Sequence, residues 1–598
     1  MNFLYVDGRS YEFELGSNLL EIIQNNDLGM ESPCGGNGLC GKCKVQIVNG
    51  TINELTNEEL KFLSQEEIDN NIRLGCLVYP KGNLNIKLLK DKNTNHKILA
   101  DGYMPEFIKK PVLTKNLYNI VQPTLQNNKS YETIIKDILG KDIQFNYETL
   151  KQLPKLFKEE NFTAICLNEK LIGLECRDTK DSVYSVAVDI GTTTVVCSLI
   201  DINSQVELRC ESEINPQKEY GLDVLSRINF IRSKENGLEI LHKLIIDCIN
   251  KLIRKLCETE NIKTSNIYEL AIAANSTMMH ILLNVNPESI GKSPYATSFV
   301  ASKNISAKEL GIDISKFGNV YLLPGVSSYI GADIVSGVCV CDLKNTDKNI
   351  LFIDIGTNGE MVLSKKGKLV SCSCAAGPAL EGMNISCGMR AGDGAIENIK
   401  ISDEISFKVI GDTDPKGICG SGIVDAISEL AKSKLIGNTG RICKSESIKQ
   451  DEKLSHLSNC IVDVDKKRKF ILMSKPKEIS ITQEDIRQVQ LAKGAILSGI
   501  YALVSQVDIN IEDLDEVIIA GQFGKHLSID SLIGSGIIPK ELKDKITYIG
   551  NSSKTGAIMS LLSKDVRENL DNIAKDIDYF ELSTKENYER LFTDCLKF

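Results

Sequence analysis

The feature that most restricts how this chain can fold is a strand and turn that occurs twice. Residues 186–194 form a mostly apolar run that leads into Asp-Ile-Gly-Thr, and residues 351–359 repeat the pattern. A second strand-like stretch follows each turn, which is typical of a β-hairpin. Because strands alternate with helical patterns from Ser185 onward, we predict a layered α/β fold that is duplicated into two facing lobes.

Each of the two turns carries residue types that suit a triphosphate. Glycine lets backbone N–H groups approach phosphate oxygens, threonine hydroxyls add donors, and an aspartate can hold Mg²⁺, usually through its waters. Ordinary glycine-containing turns are the alternative, but two matched copies favour a nucleotide gripped from both sides. The predicted residues are Asp189 and Asp354 as catalytic carboxylates, with Gly191, Thr192, Thr193, Thr194, Gly356, Thr357, Asn358, Gly359 and Glu360 as ATP-binding residues.

Three later glycine clusters extend the predicted nucleotide site. Glycines at a helix start present N–H groups to phosphate or adenosine, although plain tight turns explain such clusters equally well. Asp223 and Asp333 are further candidate carboxylates for water or Mg²⁺, with surface or capping roles as the equal alternative. The residues predicted from the clusters are Gly377, then Gly420, Ser421 and Gly422 before a helical run, and Gly521, Phe523 and Gly524 after a buried strand.

The first 80 residues carry four cysteines in a glycine-rich setting. Cys34, Cys40 and Cys43 are spaced Cys-x5-Cys-x2-Cys, and Cys76 follows at a distance. An iron–sulfur cluster needs soft thiolates at fixed positions, and three clustered ligands with one remote ligand suit [2Fe–2S]. A structural zinc site is the alternative, but zinc sites usually pair their cysteines in two Cys-x2-Cys arms. We therefore predict that these four cysteines bind a [2Fe–2S] cluster.

Composition narrows the class of protein. The formal net charge of −10 argues against nucleic acid or an anionic membrane as the main partner. No run reaches the about 18 apolar residues of a spanning helix, and the N-terminus has the pattern of a strand and turn, not of a signal peptide. Most of the 19 cysteines are scattered in apolar runs, which indicates free thiols in a reducing compartment. We expect a cytoplasmic protein.

Composition shifts along the chain predict four units. They are an iron–sulfur domain at 1–88, a linker at 89–115, a small α/β middle domain at 116–180 and the two-lobed domain at 181–598. Within the last unit, the polar segment 444–465 has the composition of a surface insertion.

Both halves of the sequence resemble known families. The cysteine segment is similar to β-grasp ferredoxins with adrenodoxin-like spacing, and the glycine loops resemble the sugar kinase/Hsp70/actin (ASKHA) superfamily of ATPases. A narrower resemblance covers nearly the whole chain, to the reductive activators of corrinoid-dependent methyltransferases and corrinoid iron–sulfur proteins. The motifs that carry it are Asn215-Pro216-Gln217, 220–224, 275–280, 354–360 and 490–496.

The resemblance implies an ATP-dependent redox activator. Such an enzyme passes a low-potential electron through its [2Fe–2S] cluster and reduces Co(II) to Co(I) in a corrinoid protein, with ATP and Mg²⁺ as cofactors. The implied partners are that corrinoid protein and a low-potential electron donor, without nucleic acid or membrane, and a homodimer is one assembly that it allows.

Two alternatives stay open from the sequence. A small-molecule kinase would use the same ATP loops, but it would leave the ferredoxin domain without a role. An activator of 2-hydroxyacyl-CoA dehydratase type shares the ATPase fold, but it holds [4Fe–4S] between subunits with cysteines of the ATPase. Here Cys372, Cys374 and Cys387 are interpreted as packing thiols, and His280 as a core histidine.

Overall fold

The computed structural model describes residues 2–598 except 7, 27, 29, 31–35, 37, 39–40, 42, 90–101, 141–142, 403, 452–453, 465–466, 476 and 522–526. In chain order, strands β1 to β26 are Asn2–Val6, Arg9–Phe13, Lys44–Ile52, Ile72–Leu74, Pro80–Leu88, Leu113–Asn119, Asn161–Leu167, Lys170–Cys176, Tyr184–Ile190, Thr194–Asp201, Val206–Ile214, Ile267–Ala274, Lys303–Ser306, Asn319–Leu322, Asn349–Ile355, Gly359–Lys365, Lys368–Cys374, Ala395–Ile401, Ile405–Val409, Gly417–Ile418, Ile461–Val464, Lys467–Met473, Ile479–Thr482, Glu516–Ala520, Ile546–Gly550 and Asp578–Tyr579. The α-helices are Leu19–Asn25, Gln65–Asp69, Tyr131–Leu139, Tyr147–Leu156, Val224–Ser233, Gly237–Thr259, Ser276–Leu282, Ala332–Val340, Gly420–Lys432, Ser445–Lys449, Gln483–Gln506, Ile529–Gly534, Ser552–Leu562, Lys564–Asp576 and Tyr588–Cys595.

The N-terminal unit is a five-stranded sheet in the order β2-β1-β5-β3-β4, with the helix Leu19–Asn25 packed on it. The alternating runs 3–6 and 11–15 on either side of Asp7-Gly8 predict a β-hairpin, which is confirmed because β1 and β2 pair antiparallel. The sequence also predicts a strand at 44–48 that ends at Asn49-Gly50, and this predicted end is wrong. The strand continues to Ile52, since shifts of register around those two residues absorb the turn-forming pair as bulges.

A small unit follows, in which the antiparallel sheet β6-β7-β8 is covered by the helices Tyr131–Leu139 and Tyr147–Leu156. Ile135, Phe162 and Leu174 are buried between the two layers. Its elements are those expected of a small α/β domain, and the boundaries of the four predicted units stay predictions.

Two six-stranded sheets build the two lobes. The first has the order β11-β10-β9-β12-β14-β13 and the second the order β25-β24-β15-β16-β17-β26. The repeated motif forms equivalent hairpins, β9 with β10 and β15 with β16, and each is flanked by a parallel strand, β12 or β24. The predicted duplicated α/β architecture is therefore confirmed, and both sequence motifs lie at strand ends that point to the same cleft.

The segment 444–465 is not a simple surface insertion, so that prediction is wrong. It contributes the helix Ser445–Lys449 and β21, which pairs in the sheet β21-β22-β23. Ile448, Leu457 and Ile461 are buried in the core of the second lobe. These three apolar residues anchor a segment whose other residues are mostly polar. In the part of the chain that the structure describes, no helix is both long and apolar enough to cross a bilayer.

Candidate functional site

The two hairpin turns face one cavity of about 260 Å³ between the lobes. The turn after β9 is closed by a hydrogen bond from Gly191 N to Thr194 O, and the turn after β15 by one from Gly356 N to Asn358 O, both at 2.9 Å. These tight turns place threonine hydroxyls from both lobes at the cavity. The arrangement suits a ligand with several phosphate oxygens.

Most of the predicted nucleotide residues lie together in this cavity. Those lining it are Asp189, Gly191, Thr192, Thr193, Thr194, Asp333, Asp354, Gly356, Thr357, Asn358, Glu360, Gly420, Ser421 and Gly521. Phe523 and Gly524 lie outside the described residues.

Four other predicted residues do not line the cavity. Asp223 is the N-cap of the helix Val224–Ser233 and accepts a hydrogen bond from Ser226 N. This is the capping role that the sequence left open as the alternative to a role toward water or Mg²⁺. Gly377 supports the second turn from behind, because its N–H donates to Thr357 O at 2.7 Å. Gly359 lies in β16 and Gly422 in a helix, where a Cβ would come within 2.8 Å of Cys374 Sγ and 2.3 Å of Ile396 O respectively.

Glu381 connects the two turns; it follows the predicted Gly377 cluster but was not itself predicted as a site residue. Thr193 Oγ1 donates to Glu381 Oε2 at 3.2 Å, and Thr357 Oγ1 donates to Glu381 Oε1 at 2.8 Å. One carboxylate therefore accepts from a threonine of each lobe. A phosphate group carries negative charge and accepts hydrogen bonds as a carboxylate does, so the same two hydroxyls suit either group.

Four part-buried carboxyl groups line the cavity, and loss of solvent raises the pKa of each of them. Burial, followed by repulsion from Asp189, raises the pKa of Asp354 to about 7. Burial and repulsion from Asp354 raise that of Asp333 to about 7 as well. Burial also raises the pKa of Asp189, and it raises that of Glu360 well above its usual range. Such a concentration of acidic groups favours a bound cation.

Mg²⁺ fits this donor set through its water ligands. In the described parts of the chain, no three His, Cys, Asp or Glu side chains lie close enough to bind one metal ion directly. Mg²⁺ commonly keeps several waters and binds through one or two carboxylates together with substrate phosphates. Asp189, Asp333, Asp354 and Glu360 are the groups that would hold those waters.

Other cavity residues come from segments that were not predicted. Asn551 Nδ2 and Ser553 Oγ donate to the two carboxylate oxygens of Asp189, at 2.8 and 2.7 Å. The signal was present, because Gly550-Asn551 ends the buried strand β25 and the helix Ser552–Leu562 follows at once. Arg390 is the basic side chain that lines the cavity among the described residues, and its buried Nε has no hydrogen-bond partner. No local motif marks this arginine.

The predicted cluster site is described in part. Cys43 and Cys76 are buried with their sulfur atoms 3.3 Å apart, close enough for both to bind one iron, whereas Cys34 and Cys40 lie outside the described residues. Glu59 holds the Cys76 segment: it accepts from Arg73 Nε at 2.8 Å and from Leu74 N at 3.1 Å.

The remaining candidates have structural roles. His280 is buried, donates from Nδ1 to Ser276 O at 2.7 Å, and accepts from Ser298 N through Nε2 at 3.0 Å, so the interpretation as a core histidine is confirmed. Cys372 and Cys374 are buried in β17, where burial raises the pKa of both thiols.

Family models match three parts of this chain. Residues 4–81 match the 2Fe-2S iron–sulfur cluster binding domain, residues 184–346 the RACo middle region, and residues 348–598 the C-terminal domain of RACo, the ASKHA domain.

Relatives match over most of the chain. A solved structure described as a reductive activator for corrinoid, iron–sulfur protein is 32% identical, with a TM-score of 0.72 over 100% of this chain and 98% of that one. The corrinoid activation enzyme RamQ of Eubacterium limosum is 29% identical, covering 95% of this chain and 94% of its own. A [Co(II) methylated amine-specific corrinoid protein] reductase of Methanosarcina barkeri is 25% identical over 68% of this chain and 76% of its own.

Proposed function

The chain belongs to the RACo family of reductive activators, and we propose that it uses ATP to drive one electron from a [2Fe–2S] cluster to the cobalt of a corrinoid protein, reducing Co(II) to Co(I). The observation that carries this proposal is that one chain contains two features. They are a ferredoxin fold in which two cysteine sulfurs lie 3.3 Å apart, and a cavity lined by two matched hairpin turns.

The residues of the cavity have distinct roles toward MgATP. Backbone N–H groups and threonine hydroxyls of the two turns bind phosphate oxygens, while Arg390 adds a positive charge to a cavity that is otherwise acidic. The four cavity carboxylates would orient the waters around Mg²⁺, and Mg²⁺ would offset phosphate charge. Asn551 and Ser553 hold both oxygens of Asp189 in place, so that this carboxylate faces the nucleotide in one orientation.

ATP acts here as a source of conformational free energy. Since the turns belong to different lobes, a nucleotide that binds both favours a closed arrangement of the lobes. A one-electron gap of about 100 mV corresponds to about 2.3 kcal/mol. A coupling of ordinary size, about 1–3 kcal/mol, is therefore enough to change whether electron transfer to the corrinoid proceeds.

The partners follow from this chemistry. The acceptor is a corrinoid protein, and the electron comes to the cluster from a low-potential donor; a homodimer is the assembly that we propose. The kinase alternative leaves the cysteine segment unused. The dehydratase-type alternative needs ATPase cysteines at a subunit interface, but Cys372 and Cys374 are buried in β17.

The decisive experiment mixes the anaerobically reconstituted protein, a low-potential reductant and a Co(II) corrinoid protein with and without MgATP, and follows Co(I) by its absorbance. We expect Co(I) to form rapidly with MgATP. Asp354→Asn should abolish the stimulation, and the matched control Asp137→Asn, at an exposed pair with Lys129, should not. Equal Co(I) formation without nucleotide refutes the proposal, and a phosphorylated small molecule in a substrate screen would support the kinase instead.

A further inference from the structure

The helix Leu19–Asn25 of the ferredoxin domain is joined firmly to the cluster segment. Leu19 N donates to Val78 O at 2.7 Å, just beyond Cys76. Leu20 lies against the same region, because a Cβ at Gly36 would be 3.4 Å from its Cδ2 and one at Gly75 would be 3.7 Å from its backbone nitrogen. A displacement of this helix therefore moves the cluster segment with it.

The other end of the same helix contacts the first lobe. Gln24 Nε2 donates to Glu219 O at 2.8 Å in a partly buried position, and Lys234 Nζ donates to Asn25 Oδ1 at 3.4 Å. This contact is small, but the two parts belong to one chain. Linkage makes the association intramolecular, with an effective concentration in the millimolar range, so a weak contact can be populated.

Glu219 belongs to a turn that holds the first phosphate-binding hairpin from behind. Asn215, at the start of this turn, donates from its backbone nitrogen to Thr193 O and from Nδ2 to Gly191 O, both at 2.9 Å. The turn and the hairpin are therefore bonded at two points, within four residues of the carbonyl that receives Gln24.

Arg227 adds a second connection between the hairpin and this turn. Its side chain is fully buried and donates to Thr192 O and to Gln217 Oε1, the latter at 2.9 Å. Burial lowers the pKa of Arg227 to about 9. A buried cation whose donors are used on backbone and amide oxygens holds these groups in a fixed arrangement, because losing any acceptor would leave it unsatisfied.

The chain that follows the ferredoxin domain also returns to the nucleotide cavity. Gly102 packs so closely on the start of the helix Ser552–Leu562 that a Cβ there would be 2.4 Å from Asn551 O. Asn551 is the residue that donates to Asp189 in the cavity. The ferredoxin domain is thus tethered beside the nucleotide site as well as docked near it.

We propose that the turn at 215–220 is a docking site for the ferredoxin domain whose occupancy depends on nucleotide, so that phosphates bound at Gly191–Thr194 change the position of the cluster through Asn215, Arg227 and Gln24. This inference rests on the proposed function, since it needs a nucleotide at the hairpins. Asn215, Arg227 and Gln24 are positioning residues in it, because they touch neither the phosphates nor the cluster.

Hydrogen exchange on the full, cluster-loaded chain tests this coupling, with and without Mg²⁺ and a non-hydrolysable ATP analogue whose binding is measured by calorimetry. In the native chain we expect the analogue to change the exchange rates of amides in both 215–220 and 19–25, by about threefold or more. Gln24→Ala should keep the change at 215–220 and lose the change at 19–25. The matched control is Gln46→Ala, which removes a similar glutamine-to-carbonyl bond, to Asn70 O, within the ferredoxin domain and should keep both changes.

The outcomes separate this inference from the proposed function. If the analogue binds but the exchange of 19–25 is unchanged in the native chain, or if Gln24→Ala transmits the change as well as the native chain, the coupling route is refuted while the ATPase site stands. If the analogue does not bind at all, the proposed function fails and this inference fails with it.

Discussion

Replacing Glu381 with glutamine tests whether this carboxylate competes with nucleotide. It accepts hydrogen bonds from Thr193 at 3.2 Å and from Thr357 at 2.8 Å. A hydrogen bond to a charged acceptor contributes about 1.5–3 kcal/mol, against about 1 kcal/mol for a neutral one. If the longer bond, from Thr193, is given the smallest free energy in this range, Glu381→Gln weakens the bridge between the lobes by about 1–2 kcal/mol.

That loss should appear as tighter nucleotide binding, because phosphate oxygens need the same two hydroxyls. A change of 1–2 kcal/mol corresponds to a dissociation constant about 5- to 30-fold lower, measurable by calorimetry with a non-hydrolysable ATP analogue and Mg²⁺. The control is Glu148→Gln, which also removes one negative charge but lies in the small domain, distant in sequence from Glu381. This variant should leave the affinity for the ATP analogue unchanged. Unchanged or weaker binding by Glu381→Gln would show that the carboxylate does not occupy a phosphate position.

Three further predictions concern the cluster, the ferredoxin core and pH. Cys76→Ser should lose most of the bound iron and its visible absorbance while calorimetry still detects nucleotide binding. Arg73→Met leaves the carboxylate of Glu59 buried and unpaired, and should lower the free energy of unfolding in urea by about 3–5 kcal/mol, whereas Lys44→Met, at a part-exposed pair, should change it by no more than about 1 kcal/mol. Because the pKa of Asp354 is raised from 3.8 to about 7, the folded state holds its proton longer than the unfolded state, so thermal stability without nucleotide should fall as pH rises from about 4 through 7. Asp354→Asn should weaken this dependence, and the part that remains comes from Asp333, whose pKa is also raised to about 7.

Local sequence predicts the hairpins because their conformation is decided locally. An apolar strand, a glycine turn and a second strand specify a β-hairpin without help from the rest of the chain. Asp189, Asp354 and their glycines and threonines can therefore be assigned to the cleft from the repeated motif alone. The assignment of these residues to ATP is itself a proposal, although the family models support an ATPase domain.

Residues that reach the site from distant segments could not be predicted in this way. Glu381 and Arg390 lie in a glycine-rich segment after β17, and the cluster at Gly377 in this segment does not show which of its side chains reach the cavity. The docking of Gln24 on Glu219 joins residues almost 200 positions apart, and its sequence signal is one glutamine on a helix. The error at 444–465 has the opposite cause, since a few apolar residues are enough to bury a polar segment.

The two hairpins are alike in sequence but are supported by different parts of the fold. Because of this difference, a movement of the first hairpin on ATP binding reaches the ferredoxin domain, whereas a movement of the second stays within its own lobe. Behind the first hairpin, Asn215 bonds the turn to the segment that receives the ferredoxin helix. Behind the second, Gly377 bonds Thr357 to a loop of the same lobe, with no described contact to the ferredoxin domain. A nucleotide that draws the hairpins together therefore acts on a loop of the same lobe on one side and on a docked, tethered domain on the other. The free energy of lobe closure then changes the position of the cluster. For the transfer of one electron, a free-energy change of about 2 kcal/mol corresponds to a potential difference of about 100 mV.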